Sequence, residues 1–426
     1  MSPLVQLAII WAGVFIAGLL ATKTRLTSVL YYLAFGALMV NLNILPGETA
    51  PFIRDFAELG IILIMFALGF EENTRTFLRS IKRSWGIAFF GALAPFTVAY
   101  FIAQHFYGDT NIAIMCGLTM TATAVSLTMV SLKGLGLSKS RAATGIMTSA
   151  VLDDIASLAL VAILVPMASG QAALSVASVL LIGGKAILFF GGVAMVGIFL
   201  LPHDMSGWMS KIPIIGHYGA RDLITAGKGE HSTLTIILFA LVVGLAAHEF
   251  GFHPAVGAYM AGLILSEEYF LSDSKTAHSS HKRARTIVDN AAFSWIGPVF
   301  FVDLGTKIVF DWDIVVAVIP QTVLLLGAVF VAQIVSAALA ARYTGNFELH
   351  ESLMIGFGML GRAELAFVVM DIAYVQNNIF TTEVFYMLMF TTFWLNVSVP
   401  VTITLWKPHY LRGEAARLGE EEASPG

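Results

Sequence analysis

Charge is what this chain has least of. Only 12% of its 426 residues are Asp, Glu, Lys or Arg, while 57% are apolar. An ordinary soluble domain carries about 25% charged residues, so the composition excludes a water-soluble globule. Cysteine is almost missing. The single Cys116 excludes an internal disulfide and a multi-cysteine metal centre, and in its apolar setting it reads as a small core residue. The formal net charge of −4 comes with no basic tract and no basic–aromatic surface, which excludes nucleic acid as a partner. A basic leader with a small-residue cleavage site is also absent from the N-terminus. The first apolar run is therefore expected to stay in place as a helix.

What is present is a succession of apolar runs, each close to the roughly 20 residues that a membrane-crossing helix needs. Thirteen are predicted, near 4–21, 26–45, 54–70, 84–106, 110–131, 141–168, 173–201, 232–248, 253–270, 286–310, 314–342, 350–376 and 382–406. The predicted fold class is an all-α polytopic membrane protein of about 13 transmembrane helices. The longest loops are expected at 202–231 and 271–285, and the polar stretch from Leu411 to Gly426 reads as a frayed tail. Of the 24 Lys and Arg residues, 20 fall in the loops after odd-numbered spans or in the tail. Basic residues concentrate on the cytoplasmic side of membrane proteins. The N-terminus is accordingly expected outside and the C-terminus inside.

Against this apolar background, Asp153 and Asp154 stand side by side within a run from Ala142 to Ala168. A carboxylate at membrane depth costs several kcal/mol when left charged in hydrocarbon, so such residues face aqueous cavities and mark ion or proton paths. Successive helical positions point about 100° apart, so the two acids require separate partners. A shift of seven spans maps 110–131 onto 350–376 and 141–168 onto 382–406. Seven is odd, which makes the related helices cross in opposite directions, as in inverted-topology repeats. Both members of the first pair look breakable at mid-length. One carries Thr121-Ala122-Thr123-Ala124-Val125-Ser126; the other carries Gly356, Gly358 and Gly361 before Arg362-Ala363-Glu364. A discontinuous helix needs such residues, because its freed backbone groups must face a cavity or an ion rather than lipid. By residue count Thr123, Asp153, Asp154 and Arg362 share one depth, which points to a single site. Two plainer readings stand beside this one: the hydroxyl run as a helix-packing surface, and Arg362 with Glu364 as a structural ion pair.

In order along the chain, several stretches resemble the cation:proton antiporters of the NapA and Kef-like branch. They are Gly69-Phe70-Glu71, Thr123 to Ser126, Asp153-Asp154, Pro298-Val299-Phe300-Phe301-Val302 with Gly305, and Gly361-Arg362-Ala363-Glu364, where Ala363 replaces the family's glycine. The resemblance covers nearly the whole length. It implies the NhaA/NapA-like antiporter fold with two discontinuous crossing helices, a homodimer in a bacterial-type cell membrane, and elevator-like alternation serving pH homeostasis. Scaffold and dimerisation helices would be 1–70 and 232–310. Core transport helices would be 84–168 and 314–406, with 173–201 as a linking helix and 407–426 as a cytoplasmic tail without a nucleotide-binding domain. Such a chain would be no enzyme and would need no cofactor.

Carried over, Asp154 matches the aspartate that binds cation and proton alternately, and Asp153 matches its neighbour. Thr123 and Ser126 would add oxygen ligands, with Gln333, Arg362, Glu364 and Glu71 in support. In electrogenic members the neighbour pairs with a lysine on the span that precedes the second broken helix; here Gln333 occupies that place and 314–342 holds no lysine. The substrates implied are H+ and a monovalent cation, Na+ ahead of K+ or Li+, with one-for-one electroneutral exchange. Two competing functions remain: a K+ efflux pathway gated by a separate subunit, and an organic-anion symporter on the same plan. Outside the site, Glu71 and Glu72 suggest an interface, an ion funnel or a surface cap. Asp303 and Asp371 suggest vestibule lining or snorkelling to the interface, and His253 suggests an N-cap or solvent role.

Overall fold

The computed structural model describes the chain except for residues 25–26, 72–73, 171–175, 197–231, 266–276, 363 and 424–426. The side chains of several further helical residues, Ser126 among them, also lie outside the described set. The expected loop at 202–231 therefore falls outside the description. Among the described residues there is no β-strand.

The helices are α1 (Pro3–Thr24), α2 (Ser28–Asn41), α3 (Pro51–Glu71), α4 (Thr74–Tyr107), α5 (Thr110–Thr119), α6 (Val125–Gly134), α7 (Arg141–Ala168) and α8 (Val176–Met195). They continue as α9 (Ser232–Glu249), α10 (Pro254–Ile264), α11 (Ala277–Asn290), α12 (Gly297–Gly305), α13 (Trp312–Tyr343), α14 (Leu349–Gly358), α15 (Glu364–Asp371) and α16 (Thr382–Ala423). Short π-helical turns follow α11 and α15. Among the described residues, seven helices are long and apolar enough to cross a membrane, and four shorter apolar helices join them.

Local chemistry sets the helix starts. Asp109, Ser140 and Asp311 cap α5, α7 and α13 by accepting hydrogen bonds from the first free backbone N–H groups. His253 does the same for α10, ahead of Pro254, which bears out an N-cap role. Glu348 and Glu351 close a reciprocal capping box on α14.

Two sequence expectations are corrected, and one is refined. The stretch from Ala277 to Arg285, read as loop, is helical. It is amphipathic, with Ala284 and Val288 buried and Lys282 and Arg283 exposed, so its charges mask a buried stripe. The span expected at 286–310 is borne out as a membrane-length helical stretch over Lys282–Gly305, with the π-turn Ala291–Trp295 inside it ahead of Pro298, whose missing N–H disfavours a regular ladder. The tail read as frayed from Leu411 is helical through Ala423, where α16 ends.

The chain forms two compact units. One comprises Met1–Leu20, Tyr31–Thr76 and Ser175–Val309. Within it α3 lies against α10, where a Cβ added at Gly69 would strike Tyr259 O and one at Gly262 would strike Phe66 O. Small residues there let two backbones approach at van der Waals distance, the usual glue between apolar helices. Asp303 is buried in this unit and accepts a hydrogen bond from Thr49 Oγ1 at 2.5 Å. Its ion pair with Lys307 at 3.9 Å makes it a structural anchor rather than a snorkelling side chain. The other unit comprises Ala21–Leu30, Phe77–Leu174 and Phe310–Gly426.

Candidate functional site

The second unit holds both interrupted spans. Each begins as a ten-residue half-helix, α5 or α14, and each stops at a methionine in nearly the same conformation, Met120 (φ −94°, ψ 6°) and Met359 (φ −96°, ψ 10°). Helix resumes at Val125 and at Glu364. The two breaks, described over 120–124 and 359–362, thus begin alike, as expected for repeated halves, and they touch. Ala124 N–H donates to Gly361 O at 2.9 Å. Thr128 Oγ1, one turn into α6, donates to Gly358 O at 2.5 Å. A Cβ on Gly361 would sit 2.9 Å from Ala124 Cβ and 3.1 Å from Asn396 Oδ1, so any side chain at the crossing would have to displace a neighbour.

Asp153, on α7, is fully buried beside the first break. Its Oδ2 accepts from Thr123 N–H at 3.1 Å and from Thr123 Oγ1 at 2.8 Å. Its Oδ1 is buried without a hydrogen-bond partner. Asp154 is half-buried, so the adjacent carboxylates occupy unlike environments, as their 100° separation requires.

Arg362 fills the second break at 1% exposure. Its Nη2 donates to Gln333 Oε1 at 2.8 Å, and its Nη1 donates to Met359 O and Gly361 O, each at 3.2 Å. Gln333 therefore serves Arg362 and not Asp153; its Nε2 has no hydrogen-bond partner. The guanidinium is committed to Gln333 and to the carbonyls of the break, which revises the reading of Arg362 as half of a simple Arg362–Glu364 pair. Glu364 opens α15, half-buried, where a carboxylate meets the positive end of a helix dipole.

Of the expected site residues, Thr123, Asp153, Gln333 and Arg362 come together, with Asp154 next in chain. Ser126 opens the first turn of α6, its side chain outside the described set. Glu71 lies in the other unit, exposed, and pairs with Arg285 Nη2 at 2.6 Å; Glu72 lies outside the described residues. Asp371 accepts from Gln376 Nε2 at 2.8 Å. Sequence reading missed Asn396 on α16, which is fully buried and binds both backbone groups of Arg362. A lone amide within Phe393-Trp394-Leu395-Asn396-Val397 was the available signal, since a buried amide is costly unless it is hydrogen-bonded.

Residues 11–406 match the family model described as "Sodium/hydrogen exchanger, transmembrane". The chain belongs to the sodium/hydrogen exchanger family. The family match spans both units and both broken helices. Among curated proteins, this exchanger-family chain is 27% identical over 345 residues to the probable Na+/H+ antiporter GerT of Bacillus cereus, covering 78% of this chain and 82% of that one. It is 26% identical over 372 residues to the Na+/H+-K+ antiporter GerN of the same organism, covering 85% and 86%. Among solved structures, the sodium proton antiporter MjNhaP1 of Methanocaldococcus jannaschii superposes with a TM-score of 0.67 at 16% identity, covering 95% of this chain and all of that one. That likeness places the exchanger-family chain in the same all-helical fold.

Proposed function

We propose that this protein is a secondary active antiporter exchanging a monovalent cation, Na+ before K+ or Li+, for H+. The observation that carries the reading is the pair of adjacent carboxylates beside two touching helix breaks. Hard cations prefer oxygen ligands, and the carboxylates, the Thr123 and Ser126 hydroxyls and the break carbonyls are that donor set. The names of the relatives, as Na+/H+ or Na+/H+-K+ antiporters, support the same chemistry.

Asp154, the less buried acid, is the exchanging group. A proton and a cation each neutralise it and so exclude one another. An unneutralised carboxylate is too costly to carry through the bilayer centre, so only the loaded site crosses and exchange is obligatory. Asp153, fixed by Thr123, holds the first break in place. The unit containing the breaks moves as an elevator within the membrane, the other unit serves as scaffold in a homodimer, and the C-terminus lies in the cytoplasm.

Exchange is one-for-one and electroneutral on this reading. No lysine stands on α13, and the cation that Gln333 holds in the second break is an arginine, which keeps its proton throughout a cycle. Purified protein in liposomes with a trapped pH dye tests both statements. Adding Na+, Li+ or K+ should drive proton flux in the wild type and none in Asp154→Asn. Full flux in that variant, or flux driven by membrane potential without an ion gradient, would sink the assignment or the stoichiometry respectively.

A further inference from the structure

We propose that Asn396 is the repeat-related counterpart of Asp153 and a positioning residue for the ion site. Each break contains a residue three positions past its terminal methionine, Thr123 after Met120 and Arg362 after Met359. Each of these residues donates its backbone N–H to a fully buried side chain on the next long helix. Thr123 N–H donates to Asp153 Oδ2 at 3.1 Å, and Arg362 N–H donates to Asn396 Oδ1 at 2.8 Å. The two halves thus solve one problem, an unladdered N–H in a dry interior, with side chains of the same shape. One half uses a carboxylate and the other a neutral amide.

The amide does more than accept. Asn396 Nδ2 also donates to Arg362 O at 3.0 Å, so one side chain grips the peptides on both sides of Arg362 Cα. The peptide joining Gly361 to Arg362 is then held at both ends, because Gly361 O accepts Ala124 N–H. A continuous chain of bonds runs from Asn396 through this peptide to Ala124, then through Thr123 to Asp153. The amide accepts through Oδ1 and donates through Nδ2 at once, whereas an ionised carboxylate would set an oxygen against Arg362 O. Asn396 therefore fixes where the break carbonyls stand without adding charge to the site.

The inference rests on the antiporter reading, and its test separates the two. Apparent KM for Na+ and maximal rate are measured in dye-loaded liposomes for wild type, Asn396→Ala, Asn396→Asp and Asn396→Gln, with the folded protein per liposome quantified. Loss of the clamp should raise KM about tenfold in the Ala and Asp variants, the loss of one to two hydrogen bonds in a dry site. Gln, which keeps both amide atoms, should recover part of it. A purely structural role would lower the folded yield and the maximal rate while leaving KM unchanged in the surviving protein, and that result overturns the proposal. Should Ala and Asp yield no folded protein, the Gln variant decides: a raised KM supports positioning and an unchanged KM refutes it. No flux in the wild type would overturn the antiporter reading and this inference together, whereas wild-type flux with unchanged KM in the variants would overturn this inference alone.

Discussion

Replacing Thr123 by valine removes one hydroxyl and little volume, which isolates the bond that holds Asp153. In the wild type Oδ2 has two donors, the Thr123 hydroxyl at 2.8 Å and the Thr123 N–H at 3.1 Å, and Oδ1 has no hydrogen-bond partner. The valine variant leaves a single donor for a carboxylate buried to 0% exposure. Hydrogen bonds to charged groups contribute about 1.5–3 kcal/mol, so Thr123→Val should cost ~2 kcal/mol. Thr123→Ser keeps the hydroxyl and loses one methyl, for about 0.8 kcal/mol. In an Asp153→Asn background the acceptor is neutral, and the valine substitution should then cost only ~1 kcal/mol. Denaturant unfolding of the purified protein in micelles, run as a double-mutant cycle, should thus give a coupling of about 1 kcal/mol. The reasoning fails if valine costs the same in both backgrounds, or if serine is no better than valine.

Gly361→Ala places a methyl 2.9 Å from Ala124 Cβ, inside the roughly 3.5–4.0 Å at which carbon atoms settle. About 1–3 kcal/mol of stability should be lost, read by the same unfolding measurement, and cation-driven flux should slow. Arg141 Nη1 lies 3.4 Å from Glu351 Oε1, a fully buried carboxylate, but Arg141 is itself 36% exposed. Solvent screens that pair, so Arg141→Gln should cost only ~1 kcal/mol, with the gap to wild type narrowing in high salt. Tyr410 packs edge-on to His350 with ring centroids 5.5 Å apart. Tyr410→Ala should loosen the end of α16 by about 3 kcal/mol and speed proteolytic removal of the tail.

Much of the fold was legible because bilayer chemistry constrains sequence more tightly than water does. Apolar runs had to lie where helices lie, and the two interruptions at Thr121–Ser126 and Gly361–Glu364 were visible because hydroxyls, glycines and an arginine cluster there within otherwise apolar runs. Helical extension was harder to see. The polar residues after Trp406 hide a face that packs on α14, where Trp406 Nε1 donates to His350 O at 3.1 Å and Tyr410 is buried. Hydropathy averages over both faces of a helix and so misses such a stripe.

Within the site, sequence by itself singled out the polar residues that stand at the breaks: adjacent acids in an apolar run, a hydroxyl in the first break, an arginine in the second. Those identities follow from the cost of placing charge in hydrocarbon, which few positions can meet. Who binds whom was decided only by the tertiary structure. Gln333 turned out to serve Arg362 rather than Asp153, and Asn396, 34 residues away in sequence, holds the second break. Partner choice depends on how helices rotate and cross, within tenths of an ångström around Gly361, and no local pattern encodes that registration.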